Sequence, residues 1–337
     1  MNIGVGLTDI AGIRVGHAAR TARGWRPGTT VVLLPPGSTA GVDVRGGGPG
    51  TRETDLLSPL ATIDTVHAIC LTGGSAYGLA AAHGVMEVLE QRHIGFAVGT
   101  EAHHVVPLVP AAVIFDLGRG GVFDHRPDAS FGRKATLAAR GGPCAQGAVG
   151  AGTGARSRGL QGGVGTASIT LPNGVVVGAL AVVNSAGSVI DAASGLPWEQ
   201  GSVRLRRPPA TERDALRAHL ASAVPALNTT IGVVATTARL SKAECSKFAA
   251  VAHDGLARAI RPVHSLLDGD TVFGVGTGAH ELPNDHPRLR ITALNAALEA
   301  GAMCFAMACT NAIVHATRVG THGDPAYRDL CPSAFSR

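Results

Sequence analysis

Aromatic residues are scarce in this chain: two Trp, two Tyr and eight Phe make up 4% of its 337 residues. No series of rings is available to stack on bases. The Lys and Arg side chains behind the formal charge of +5 are scattered rather than clustered. Both features argue against a nucleic-acid partner. Charged residues are also few, 16% against 45% hydrophobic, a balance that excludes a disordered chain. With so few rings, the interior must be built from Ala, Val and the 46 glycines, packed at close range. No stretch of 18 uninterrupted apolar residues occurs, and Met1-Asn2-Ile3-Gly4 has no basic segment leading into an apolar one. Neither a membrane span nor an export signal is therefore expected. The six cysteines lack any C-x-x-C spacing and several lie in apolar runs, so they read as reduced, buried residues of a cytoplasmic protein.

Short Val/Ile/Leu runs bounded by Gly, Pro or Asp predict strands over residues 30–34, 66–71, 94–98, 175–183, 231–235 and 271–275. The clearest helix follows Leu240. Ser241 and Glu244 have capping-box spacing, and Cys245, Phe248, Ala249, Ala252, Leu256 and Ala259 form one apolar stripe. A second helix, over 289–315, is apolar nearly all round in its later half, which predicts burial between layers. The elements alternate without a regular βαβ beat, so an α/β or α+β layered sandwich is expected rather than a doubly wound sheet. Residues 200–228 read either as a linker between two domains or as the exposed tail of a processed fragment.

Asn228-Thr229-Thr230 opens the strand at Ile231, and Asp268-Gly269-Asp270 precedes the strand at Thr271. Asn-Thr at a strand entry is ordinary turn chemistry. Asp-Gly-Asp is compatible with a turn or a weak cation site, although it lacks the remaining ligands of an EF-hand. A third reading unites the two segments. If the chain is cut before Thr229, the freed α-amine, with a reference pKa of about 7.7–8.0, becomes a local base for the Thr229 hydroxyl. Asp268 and Asp270 then hold the amine and hydroxyl in place.

Together with Leu71-Thr72-Gly73-Gly74-Ser75-Ala76-Tyr77-Gly78-Leu79, these segments resemble the DmpA-like family of self-cleaving hydrolases. That family contains L-aminopeptidase/D-esterases, β-peptidyl aminopeptidases and nylon-oligomer hydrolases. The resemblance runs from Gly6-Leu7-Thr8-Asp9-Ile10 to the C-terminal helix. It implies a four-layer αββα sandwich formed by one hydrolase domain, residues 1–337, processed into fragments 1–228 and 229–337. It implies Thr229 as nucleophile, Asn184 as an oxyanion donor, and Asp268 and Asp270 beside them. Gly73, Gly74, Ser75 and Phe115 are implied to bind substrate, a short peptide or amino-acid amide. Tetramers of cleaved units are implied as well.

Two positions depart from the pattern. Gln161 stands where many relatives carry a lysine, with Arg158 the nearest basic side chain, and Phe115 stands where a pocket tyrosine is usual. Both changes bear on oxyanion stabilisation and specificity rather than on the nucleophile. The expected activity is aminopeptidase-type amide hydrolysis. The alternatives are endo-type hydrolysis of linear oligoamides, acyl transfer as in ornithine acetyltransferases, and a non-catalytic glycine-rich α/β protein. No cofactor is expected, because Gly150-Ala151-Gly152-Thr153-Gly154 is neither a dinucleotide nor a phosphate loop. His103, His104, His280, Asp285 and His286 lack compact metal-ligand spacing, and Gly74-Ser75-Ala76-Tyr77-Gly78 misses the nucleophile-elbow spacing by one residue.

Overall fold

Along residues 176–183 alternate side chains face opposite ways, the period-2 rule of a strand. Val177, Ala179, Ala181 and Val183 belong to one apolar cluster, and Leu180 and Val182 belong to another. A strand apolar on both faces must be covered on both, and this requirement sets the layering of the molecule.

The computed structural model describes residues 2–224, 227–284, 286–321 and 323–335. In chain order its principal strands are β1 (Asn2–Gly4), β2 (Arg14–Ala19), β3 (Gly28–Leu33), β4 (Thr39–Val44), β5 (Thr51–Arg52), β6 (Ala68–Thr72), β7 (Ala111–Val113), β8 (Gly163–Thr170), β9 (Val176–Val183), β10 (Ile231–Ala238) and β11 (Thr271–His280). The helices are α1 (Ala81–Gln91), α2 (Ala129–Ala138), α3 (Ala210–Ser222), α4 (Lys242–Ala259) and α5 (Pro287–Val314).

One sheet has six strands in the order β1-β8-β9-β10-β11-β4, antiparallel except for the parallel pair β10 and β11. The other has five in the order β2-β3-β6-β7-β5, with β6 and β7 parallel. Leu180, Val182, Ile231, Val233 and Phe273 of the first sheet meet Val32, Ile69, Leu71 and Ala112 of the second in a shared core. On the far face of the six-stranded sheet lie α4 and α5, and on the far face of the five-stranded sheet lie α1 and α2. The result is the expected αββα sandwich.

The capping box forms as its spacing requires. Ser241 accepts from the Glu244 N–H, and Glu244 accepts from the Ser241 N–H at 2.8 Å. Helix α5 is long and apolar enough to cross a membrane by length and composition, but 83% of its most apolar window is buried inside the protein. Its second half lies between α4 and the sheet. Approach is close there, since a side chain at Gly255 of α4 would meet the Ala302 carbonyl oxygen at 2.0 Å. Leu216 and Leu220 anchor α3 in the same core. After α3 the chain surfaces, with Val224 83% exposed, and dives again so that Asn228 is 6% exposed. Pro225 and Ala226, between them, lie outside the described residues, as does Asp285.

The expected strand at 94–98 is a correction: only Phe96–Ala97 pairs, in a two-stranded ribbon with Val105–Val106. Its apolar residues are exposed on that ribbon and do not enter a sheet core.

Candidate active site

The parallel pairing of β10 and β11 brings the two polar strand entries side by side, with Ile231 opposite Thr271. Asn228, Thr229 and Thr230 therefore lie against the 264–270 loop. Asn228 N donates to Leu267 O at 3.0 Å, and Thr230 N donates to Asp270 Oδ1 at 2.6 Å. Asp268 sits beside the same junction but acts on its walls, accepting from Ser265 Oγ at 2.6 Å and N at 3.0 Å and from Ala186 N at 3.3 Å. Both carboxylates are buried. Burial pushes the Asp270 carboxyl above the ordinary carboxylate range, opposed by the bonds from His264 and the Thr230 amide.

Thr229 is 4% exposed, and its hydroxyl donates to the carbonyl oxygen of Asn228, the residue before it. Its backbone N–H donates to Asn184 O at 2.6 Å. Asn184 directly follows β9 and is fully buried. Its side-chain oxygen accepts from Arg119 Nη1 and from Arg156 N at 3.0 Å, and its Nδ2 donates to Phe115 O at 3.3 Å. Two donors facing the oxygen and a carbonyl facing the nitrogen fix that amide's orientation. Phe115 thus contributes its backbone carbonyl to this network.

The glycine-rich turn packs against Asp116. The N–H groups of Gly73, Gly74 and Ser75 are already committed, to Gly28 O at 2.9 Å, Asp116 Oδ1 at 2.6 Å and Ile114 O at 3.0 Å. None is open to a substrate oxygen in this conformation. What the glycines allow is the close approach of Asp116, because a Cβ at Gly73 or at Gly154 would stand 2.3 Å from its Oδ2. That oxygen is buried and has no hydrogen-bond partner among the described residues, and burial pushes the Asp116 carboxyl up to about 6.

Gln161, the position that departs from the family lysine, is fully buried. Its Nε2 faces several backbone carbonyls, the nearest Ala155 O at 3.0 Å, and its Oε1 accepts from Arg26 Nη2 at 2.7 Å. Arg26 and Arg156 share Asp324 as counter-ion, at 3.7 and 2.8 Å. Arg119 reaches the junction itself. Besides Asn184, its guanidinium donates to Gly154 O at 3.0 Å, Asn228 Oδ1 at 3.4 Å and Leu227 O at 3.5 Å.

Sequence reasoning missed Arg26, Asp116, Arg119 and His264. His264 donates from Nδ1 to Asp270 Oδ2 at 2.7 Å, and its ring stacks edge-on against His253 with centroids 4.9 Å apart. Its one available signal was its place four residues ahead of Asp268. A cleft of about 110 Å³, lined by Arg156, Arg158, Ser185, Ala186, Asn228 and Ser265 among others, opens at the junction. A groove of about 880 Å³ lined by Arg14, His67 and His93 shares no residue with it. Among the described residues no group of three or more His, Cys, Asp or Glu is placed to hold a metal ion.

A buried hydroxyl at a strand entry thus lies against its own preceding carbonyl inside an αββα sandwich. The fold is shared with a Burkholderia sp. beta-aminopeptidase (TM-score 0.72, 24% identity, covering 99% of this chain and 95% of that one). It is shared also with the L-aminopeptidase D-Ala-esterase/amidase of Ochrobactrum anthropi (TM-score 0.71, 19% identity, 97% and 91%). The chain belongs to peptidase family S58, whose model matches residues 6–325. It is 51% identical over 350 aligned positions to an uncharacterized aminopeptidase of Mycobacterium tuberculosis, covering 98% of both chains. It is 35% identical to the 6-aminohexanoate-oligomer endohydrolase of Kocuria sp. (strain KY2), over 82% of this chain and 76% of that one. The activity class is accordingly that of a peptidase or amidohydrolase.

Proposed function

We propose that this chain cuts itself between Asn228 and Thr229 and that Thr229 is then the nucleophile of an amide hydrolase acting on short peptides or amides. The observation that carries this reading is the contact of the Thr229 hydroxyl with the carbonyl of the bond just ahead of it. In the first reaction Oγ1 forms a bond to the Asn228 carbonyl carbon, and the C–N bond to Thr229 breaks. The hydroxyl proton passes to the departing nitrogen, and water hydrolyses the ester, leaving an Asn228 carboxylate and a Thr229 α-amine.

The same groups then act on a substrate. The α-amine, already aimed at Asn184 O, takes the proton of Oγ1 as it attacks the substrate carbonyl and returns it to the leaving amine. Asp270, held by His264, fixes the Thr230 amide and hence the backbone that carries the nucleophile. Positive charge from Arg119 lies beside Asn184, where an oxyanion develops.

The names of the relatives favour aminopeptidase action, whereas the cationic surroundings of Asn228 favour acyl groups without a free ammonium. A cytoplasmic location and assembly into tetramers of cleaved units complete the reading. Its test is the fragment 229–337 itself. After brief mixing with a slowly hydrolysed amino-acid ester, mass spectrometry should find one acyl group attached at Thr229, and Thr229→Ala should neither be acylated nor hydrolyse amides. Full turnover by Thr229→Ala refutes the reading.

A further inference from the structure

Self-cleavage makes the chain its own first substrate, so the residues around Asn228 are the subsite that receives the acyl side of any later one. Resting on the Thr229 reading, their chemistry specifies what that acyl group carries. Asn228 N, the position of a free α-amine in an aminopeptidase substrate, donates to the Leu267 carbonyl oxygen at 3.0 Å. A positive charge reaches the same residue through its side-chain contacts. Arg119 presents its Nη2 to Leu227 O at 3.5 Å and to Asn228 Oδ1 at 3.4 Å. These two acceptors are the carbonyl that acylates Asn228 and the carboxamide of its side chain.

Arg119 is largely buried, and burial lowers it to about 10, so it stays charged at neutral pH. Among the described residues it makes no ion pair with a carboxylate: its acceptors are the oxygens of Asn184, Gly154, Leu227 and Asn228. The neighbouring arginines differ, since Arg26 and Arg156 both have Asp324. Asp116 and Asp324 contribute favourable charge to Arg119 without pairing with it. A desolvated guanidinium whose hydrogen bonds all go to neutral oxygens gains from a stronger acceptor and repels a cation.

We propose that Arg119 is the specificity-determining residue of the acyl-side subsite, which takes N-acylated acyl groups bearing a carboxamide or carboxylate, as in N-acyl-asparaginyl and N-acyl-aspartyl amides, over groups ending in a free ammonium. The chain clears this subsite after cleavage by withdrawing a tail whose residues 224 and 227 are already exposed.

The experiment compares four p-nitroanilides on the processed protein: N-acetyl-Asn, N-acetyl-Asp, N-acetyl-Leu, and Asn with its amine free. From the strength of hydrogen bonds to charged groups, kcat/KM for the acetylated Asn and Asp substrates should exceed the other two by about tenfold or more. In Arg119→Gln the margins should shrink to about threefold, and Arg119→Lys should restore mainly the Asp preference. Equal or faster hydrolysis of the free-amine or Leu substrate by the cut parent overturns the proposal while leaving Thr229 in place, and so do unchanged margins in Arg119→Gln. If Arg119→Gln does not fold or cut, the parent's four rates decide alone. An uncut chain inactive on all four overturns the nucleophile reading and this inference with it.

Discussion

The backbone N–H of Thr229 points at the carbonyl oxygen of Asn184 from 2.6 Å while its hydroxyl faces the opposite neighbour, the Asn228 carbonyl. The amide nitrogen and the hydroxyl of Thr229 are thus held by separate acceptors. On the proposed cleavage the Asn184 carbonyl would accept from the new amine without rearrangement. Thr229→Ser preserves both contacts and should still cut and hydrolyse, whereas Thr229→Val keeps the shape and should do neither. Gel analysis of the two purified variants checks this.

Asp270 joins the Thr230 amide to His264. Removing its charge weakens two hydrogen bonds beside Thr229. Asp270→Asn should slow fragment formation and turnover by about tenfold or more, from about 1.5–3 kcal/mol per charge-assisted bond. His264→Gln retains a donor and should fall between parent and Asp270→Asn. Equal rates in Asp270→Asn and the parent would remove Asp270 from the account.

Asp116 gives a pH-dependent prediction. Its folded pKa, about 6, lies above the ordinary Asp value, so the folded protein holds this proton more tightly than the unfolded one. Relative stability is greatest below about pH 4, falls as pH rises through 6 and is flat above. Asp116→Asn keeps the acceptor for Gly74 N and removes the titration, and should gain about 2–3 kcal/mol on the parent at pH 8 while losing that advantage near pH 4. Buried His17, lowered to about 4, acts in the opposite sense below about pH 6.5, but it is present in both proteins and cancels in the difference. Thermal melts of the pair from pH 4 to 8 test it, and a constant difference would contradict it.

Gln161 and Arg26 define a second electrostatic test. Restoring the family lysine as Gln161→Lys would set a buried ammonium against the Arg26 guanidinium, which now donates to Gln161 Oε1 from 2.7 Å. The single variant should lose about 2 kcal/mol or more, and Arg26→Met in the same chain should recover much of it. A single variant as stable as the parent would show that the two positions do not interact.

Much of the framework was legible because it rests on local rules. The Ser241–Glu244 capping box, the apolar stripe of α4, the buried half of α5 and the strands at 176–183, 231–238 and 271–280 each follow from spacing within a few residues. The placing of the 267–270 segment against Asn228 and Thr230 followed too, because both segments precede strands that lie side by side. Arg119 and Asp116 were not legible. They belong to a loop after β7, more than a hundred residues from Asn228, and no periodicity in a loop tells which side chain turns inward. Gly73 and Gly154 carried a readable signal of close approach, yet sequence alone could not say that the approaching group was the Asp116 carboxylate. The Ile94–Val98 run failed for the converse reason, since local apolarity does not distinguish a core strand from an exposed ribbon.

The central claim is that the chain opens its own backbone ahead of Thr229, and the N-terminal sequence of the purified protein tests it most directly. The account predicts a second sequence beginning Thr-Thr-Ile-Gly-Val alongside that of the original chain start, and only the original start in Thr229→Ala. A single intact chain that hydrolyses amides as fast as any processed preparation would contradict it.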